Sequence, residues 1–237
     1  MANKPVKKSD RKKDWIRPRI DRQFRPNPEY HLVVSEGTKT EPNYFRSLAR
    51  NINANASLYD RRRREFIQFH IRGVGRNTRD VFNEAVKAAR EIQSAESIVF
   101  QRVWVVYDKD DFDDDDFNVV QELCESQSNE DTKYMALWSN QCIELWFLLH
   151  FEYFDTALMR EDYCRKLSHH LKLHDSRTKY EKNSEEMFDL LLPFLNVAMK
   201  NSKLLYSTYH EEITLAERDP ATVVFRLFDE LLPHINR

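Results

Sequence analysis

The sequence predicts an α/β fold, a mostly parallel sheet flanked by helices, with a helical C-terminal region after it. Three observations predict it. Short runs rich in β-branched and aromatic residues alternate four times with segments of helical periodicity, the pattern of a parallel sheet with crossover helices. The three glycines, Gly37, Gly73 and Gly75, all fall just after strand-like runs. The alternation stops after about residue 151, and the remainder of the chain reads as helical.

The elements run in order along the chain. "YHLVVS" (30–35) reads as the first strand. Thr40 can cap the next helix, with Pro42 tolerated in its first turn and Tyr44, Leu48 and Ile52 on one face. "FIQFHI" (66–71) is the second strand; "RGVGRNT" then leads to a helix capped near Asn77, with Val81, Ala85, Ala88 and Ile92 at helical spacing. "RVWVVY" (102–107) is the third strand, and an aspartate run precedes a helix from about Asp116 to Ser126. "YMALWS" (134–139) is the fourth strand, and "QCIELWFLLHF" reads as a buried helix. Further on, Met187, Leu190, Leu191, Phe194 and Ala198 mark one amphipathic helix. Asp219-Pro220 reads as the N-cap and first position of a final helix with the stripe Val224, Leu227, Phe228 and Leu231. The organisation expected is a basic arm (1–26), an α/β core (27–150) and a helical region packed on it (151–237).

Composition narrows the function classes. The 237 residues are 41% apolar, enough for a substantial core, and the net charge of −2 gives no global pull toward nucleic acid. The charge is local instead. Residues 1–25 carry ten Lys/Arg against three Asp, and residues 108–116 hold seven Asp. Cys124, Cys142 and Cys164 lack CxxC spacing and fit free thiols in a reducing cytoplasm. No apolar run reaches the roughly 18–20 residues of a membrane span, and the basic N-terminus leads into no signal-peptide core.

Ligands of parallel sheets bind at the carboxyl ends of the strands. Glu36 lies just past the first strand, Asp108 ends the third, and Asp110 comes two residues on, pointing the same way if the chain stays extended. Three carboxylates brought together repel one another unless a cation or protons intervene. Hard oxygen ligands of this kind suit Mg²⁺ or Mn²⁺, which serve phosphodiester chemistry. Any one of them alone is more often a turn former or helix cap. Asp113–Asp116 are assigned to the helix N-terminus, not to the site.

Glu144 is a fourth carboxylate, set among apolar residues in "CIELWFLLHF". It is either a site residue or a single exposed position on an otherwise buried helix. Asn140, four residues earlier, would share its face. His150 reads first as a satisfied core histidine and second as a supporting residue, and Gly37 and Glu41 are also placed in support of the site. "RGVGRNT" offers either backbone N–H groups to a phosphate, with Lys39, Arg72 and Arg76 nearby, or a plain turn. Lys12, Lys13, Arg17 and Arg19 in the arm, with Trp15 and Phe24 among them, offer a nucleic-acid grip, or are simply solvated. There is no Walker A motif and no GxGxxG.

Four stretches together resemble the RloB-like (AbiLii-type) family: "VVSEGTKTEPNYFRSL", "RGVGRNT", "VWVVYDKDD" and "SNQCIELWFLLHFE". "ERDPATVV" near the C-terminus is similar to that family's ending. Gln141 and Ile143 stand where the family is expected to carry Pro and Phe. The resemblance implies a Toprim-like core in a prokaryotic defence protein, often encoded beside an ATPase and linked to abortive infection. By that analogy Glu36 is a general acid/base or metal ligand, Asp108 and Asp110 bind Mg²⁺, and Glu144 matches a family glutamate. The function expected is a Mg²⁺-dependent nuclease acting on DNA or RNA. The rival is a regulatory Toprim-like module that binds an ATPase partner or a nucleotide signal. A homo-oligomer through the apolar helices after residue 180 is a further expectation.

Overall fold

The computed structural model describes residues 28–55, 66–75, 78–110, 113–174 and 179–235. The elements are β1 (Glu29–Ser35), α1 (Thr40–Asn55), β2 (Ile67–Gly73), α2 (Thr78–Glu96), β3 (Phe100–Asp108), α3 (Asp114–Gln127), β4 (Lys133–Asn140), α4 (Glu144–Leu148), α5 (Arg160–His174), α6 (Met187–Leu191), α7 (Leu195–Tyr206), β5 (Ala221–Thr222) and α8 (Phe225–Leu231). The sheet order is β2-β1-β3-β4-β5. The first four strands run parallel, and β5 is antiparallel to β4.

Successive side chains of a strand point to opposite faces. Leu32, Val33 and Val34 are all fully buried, so both faces of β1 are covered. This is why the central strands read as unbroken apolar runs. Helix α2 packs on α3, and α1 packs on α6. An aromatic layer ties α1, α4, α6 and α8 together. The Tyr44 ring meets Phe147, Phe188 and Phe228, and Trp146 stacks on Phe228 at 5.2 Å. Trp146 Nε1 donates to the Tyr44 hydroxyl at 2.9 Å, so the one polar atom of this buried indole is satisfied. That layer holds the short α4, whose first residue is Glu144.

Three sequence expectations change. Asp219-Pro220 does not open the last helix. It leads into β5, and α8 starts only at Phe225, with Val224 as its N-cap. The reason is long-range: β4 has an open edge, and Ala221 and Thr222 pair with Asn140 and Ser139 to cover part of it. A two-residue strand is too short to leave a periodic signal. The helix expected over 187–198 is divided. Pro193 lies in a 3₁₀ turn, Leu192–Phe194, between α6 and α7, because proline has no N–H to continue the ladder. Helix α3 begins at Asp114, earlier than expected, because the Asp113 side chain accepts from the Asp115 amide at 2.9 Å. Among the described residues no helix is long and apolar enough to cross a membrane.

Candidate functional site

Glu36 comes directly after β1 but is still held as if in the sheet. Its amide donates to Val106 O at 3.0 Å, and its carbonyl accepts from the Gly75 amide at 2.9 Å. The backbone is therefore fixed on both sides while the carboxylate turns across the strand ends. Glu36 Oε2 lies 3.5 Å from the Asp108 amide, at the end of β3. Burial pushes the Glu36 carboxyl up to about 7, with Asp110 and Glu41 adding repulsion against the pull of the Asp108 amide and Arg160.

Asp108 is buried at the strand end, and burial, then Glu41 and Glu144, push its carboxyl well above the ordinary range. Asp110 reaches the same place by another route than expected. Its φ is +40°, so the chain turns after Asp108 and is not extended. Aspartate is one of the few side chains that tolerate this left-handed region. The turn is held by Lys109 N donating to Ser139 O at 3.0 Å and Asp110 N to Gln141 O at 3.1 Å. Both aspartates then meet one guanidinium: Arg160 Nη2 lies 3.1 Å from Asp108 Oδ2 and 2.7 Å from Asp110 Oδ1.

These residues line a pocket of about 340 Å³ together with Gly37, Thr38, Thr40, Glu41, Gly75, Ile143, Glu144 and Lys182. Glu41 is buried in the first turn of α1, where the helix dipole favours a carboxylate. Burial raises its pKa, while hydrogen bonds from its own amide and that of Gly37 oppose the rise. Of the two readings of Glu144, the exposed position on a buried helix is excluded. The residue is 3% exposed, and Tyr180 donates to its Oε1 at 2.6 Å, with Cys164 Sγ at 3.8 Å.

Other candidates fall elsewhere. Asn140 does not share a helix face with Glu144; it ends β4, four residues before α4 begins, and its Nδ2 donates to Ala216 O at 2.7 Å. His150 is buried against Trp146, with Nδ1 on the Trp146 carbonyl at 2.9 Å, and does not line the pocket. Arg72 is exposed and pairs with Glu91 at 3.6 Å, and Lys39 is exposed on the loop beside the pocket. The amides of Val74 and Gly75 are not open to a phosphate. They donate to Ser35 O and Glu36 O, extending the β1–β2 pairing beyond the strands. Arg76, Lys12, Lys13, Arg17 and Arg19 lie outside the described residues.

Residues 31–231 match the family model described as RloB-like protein. The chain belongs to the RloB-like family. No curated protein and no solved structure matched it.

Sequence reasoning missed the cationic side of this RloB-like pocket, Arg160 and Lys182, and the Tyr180 that holds Glu144. One signal for Arg160 existed. It is the first residue of α5, where the helix dipole favours acids such as Glu161 and Asp162 and disfavours a cation. Among the described residues no three His, Cys, Asp or Glu side chains are gathered as a metal cage. Arg160 stands where a cation would neutralise Asp108 and Asp110. The donor set itself, oxygen-only and mutually repelling, is the chemistry that suits a hard divalent ion.

Proposed function

We propose that this RloB-like chain is a Mg²⁺- or Mn²⁺-dependent Toprim-type nuclease, acting on DNA or RNA as an effector of antiphage defence. The observation that carries the reading is the meeting of Glu36 and Asp108 at adjacent strand ends, Oε2 to amide at 3.5 Å. The pocket around the pair gathers the further carboxylates of Asp110, Glu41 and Glu144 and the basic side chains of Arg160 and Lys182. Carboxylates that are costly to ionise together are stabilised by a divalent cation, and Glu36, Asp108 and Asp110 are the residues that would hold it. Bound there, the ion would polarise a phosphoryl oxygen and lower the pKa of a water.

The chain's own residues supply the rest. Without a metal, burial first raises the Glu36 carboxyl to about 7, so that it can serve as a general acid/base where it is not itself a ligand to the ion. Tyr180 fixes Glu144, another residue of the pocket lining. Glu41, Asp108 and Glu144 of the lining are buried, which strengthens the charge interactions among them.

The Arg160 bridge favours a second reading, a regulatory module that binds an ATPase partner or nucleotide signal, because the two aspartates already have a cation. The test is incubation of the purified chain with labelled DNA and with total tRNA, in Mg²⁺, Mn²⁺ or EDTA, beside Asp108→Ala. Cleavage that requires metal and vanishes in the variant is the expected result. Metal binding that is lost in Asp108→Asn, without cleavage by the wild type, supports the regulatory module instead.

A further inference from the structure

We propose that Arg160 is a ligand for the substrate's phosphate, held in reserve on Asp108 and Asp110 until a divalent cation takes those carboxylates and frees the guanidinium. The inference rests on the nuclease reading and names how a polyanion is admitted to an acidic site.

The charge balance poses the problem. The pocket is lined by Glu36, Glu41, Asp108, Asp110 and Glu144, and its cationic lining residues are Arg160 and Lys182. A phosphodiester entering this field is repelled unless positive groups face it directly. The α/β core contributes the carboxylates of Glu36, Glu41, Asp108 and Asp110. Arg160 and Lys182 both come from the C-terminal third, so that third completes the site with the opposite charge.

The bonding of Arg160 is that of a resting position. One nitrogen, Nη2, carries the bridge to both aspartates. Nε is buried and has no acceptor. A guanidinium presents five donors in a planar fork that matches two oxygens of a carboxylate or phosphate at once. A buried donor without an acceptor marks a group not in its most favourable arrangement. The side chain is 32% exposed, against 6% for Asp108, so it has room toward the pocket that the aspartate lacks.

The two states exclude each other by charge. A divalent cation on Asp108 and Asp110 repels a guanidinium held on the same oxygens. A phosphate that reaches that cation also comes within a side chain's reach of Arg160. Metal entry and phosphate capture are thereby one exchange. A purely structural ion pair would compete with the metal as well, but its loss would leave the affinity for a polyanion unchanged.

The test uses the full chain as wild type, Arg160→Met and Arg160→Lys, each checked for folding by circular dichroism. Mn²⁺ affinity is measured by calorimetry with the metal alone, at about pH 8. Binding of a fluorescent single-stranded oligonucleotide is measured by anisotropy in Ca²⁺. Arg160→Met is expected to bind Mn²⁺ roughly 3–10-fold tighter, having lost the competing cation. It is expected to bind the oligonucleotide roughly tenfold or more weakly, having lost the fork. Arg160→Lys keeps a point charge without the fork and should fall between. Mn²⁺ binding that is unchanged or weakened in Arg160→Met, or an unchanged oligonucleotide affinity, overturns the proposal and leaves the nuclease reading standing. Absence of Mn²⁺ binding by all three proteins overturns both.

Discussion

The carboxylate of Glu41 lies directly over the Cα of Gly37. A Cβ at Gly37 would stand 2.7 Å from Glu41 Cδ and 2.8 Å from Oε1. The loop after β1 therefore needs glycine so that a second carboxylate can sit beside Glu36. Gly73 underpins the same loop from β2. A Cβ there would stand 2.7 Å from Pro42 Cγ and 2.8 Å from Thr38 Cα, and nearer still to Gly37 O.

The two glycines should therefore differ on substitution. Gly73→Ala collides with backbone and is expected to cost about 1–3 kcal/mol in urea unfolding. Gly37→Ala displaces a side-chain end, so its stability loss is smaller. Its effect should appear in Mn²⁺ affinity instead, because the Glu41 carboxylate is moved. Equal destabilisation by both would contradict this account.

Glu36 makes a pH-dependent prediction with a definite sign. Its folded pKa, about 7, lies above the ordinary 4.5. The associated stability is fully present below the ordinary value and is lost as pH rises through the folded one. Without metal, Glu36→Gln should be the more stable protein at about pH 8, by ~1–2 kcal/mol once partial exposure is discounted, and the gap should close toward about pH 4. Under the proposed metal role of Glu36, saturating Mg²⁺ should stabilise the wild type more than the variant and narrow the difference. Thermal melts at several pH values read both effects.

Tyr180→Phe removes the donor to Glu144 Oε1 at 2.6 Å. A hydrogen bond to a buried carboxylate is worth about 1.5–3 kcal/mol, and the loss should appear as a lower melting temperature. Glu144→Gln in the same background should restore part of it, because an amide is cheaper to leave under-bonded than a charge. A double-mutant cycle with no coupling between the two positions would show that the contact is not an energetic one.

His150 sets an acid limit. Burial lowers its pKa from 6.5 to about 4, and Nε2 has no hydrogen-bond partner. A lowered folded pKa contributes stability above the ordinary value that is lost as pH falls through the folded one. Stability should thus decline between about pH 6.5 and 4, by up to ~3 kcal/mol from this group. His150→Phe should flatten that part of the curve without changing metal affinity, because the ring lies outside the pocket.

The legible parts of the site are those made by local geometry. Glu36 and Asp108 end strands, and strand ends can be read from where an apolar run stops. Strand alternation also predicts Asp110 beside them, yet it arrives through a left-handed turn that alternation does not encode. Spacing alone puts Asn140 on the helix of Glu144, whereas that helix begins four residues later, because helix starts next to strand ends have no sharp signature. The sequence leaves Glu144 between two readings, since its burial depends on an aromatic layer drawn from four helices distant in the chain.

The sequence by itself determined the alternation of strands and helices, the carboxyl edge of the sheet and the carboxylates on it. Those arise from hydrophobic periodicity and from residues within a few positions of one another. Tertiary structure alone decided that Arg160 spans Asp108 and Asp110, that Tyr180 holds Glu144, and that Ala221 and Thr222 cover the end of the β4 edge. These meetings join residues from 36 to 83 positions apart, and no local preference encodes them. They are set by how the C-terminal helices pack onto the core, where burial of apolar surface chooses the arrangement and the charged side chains are carried to the pocket with it.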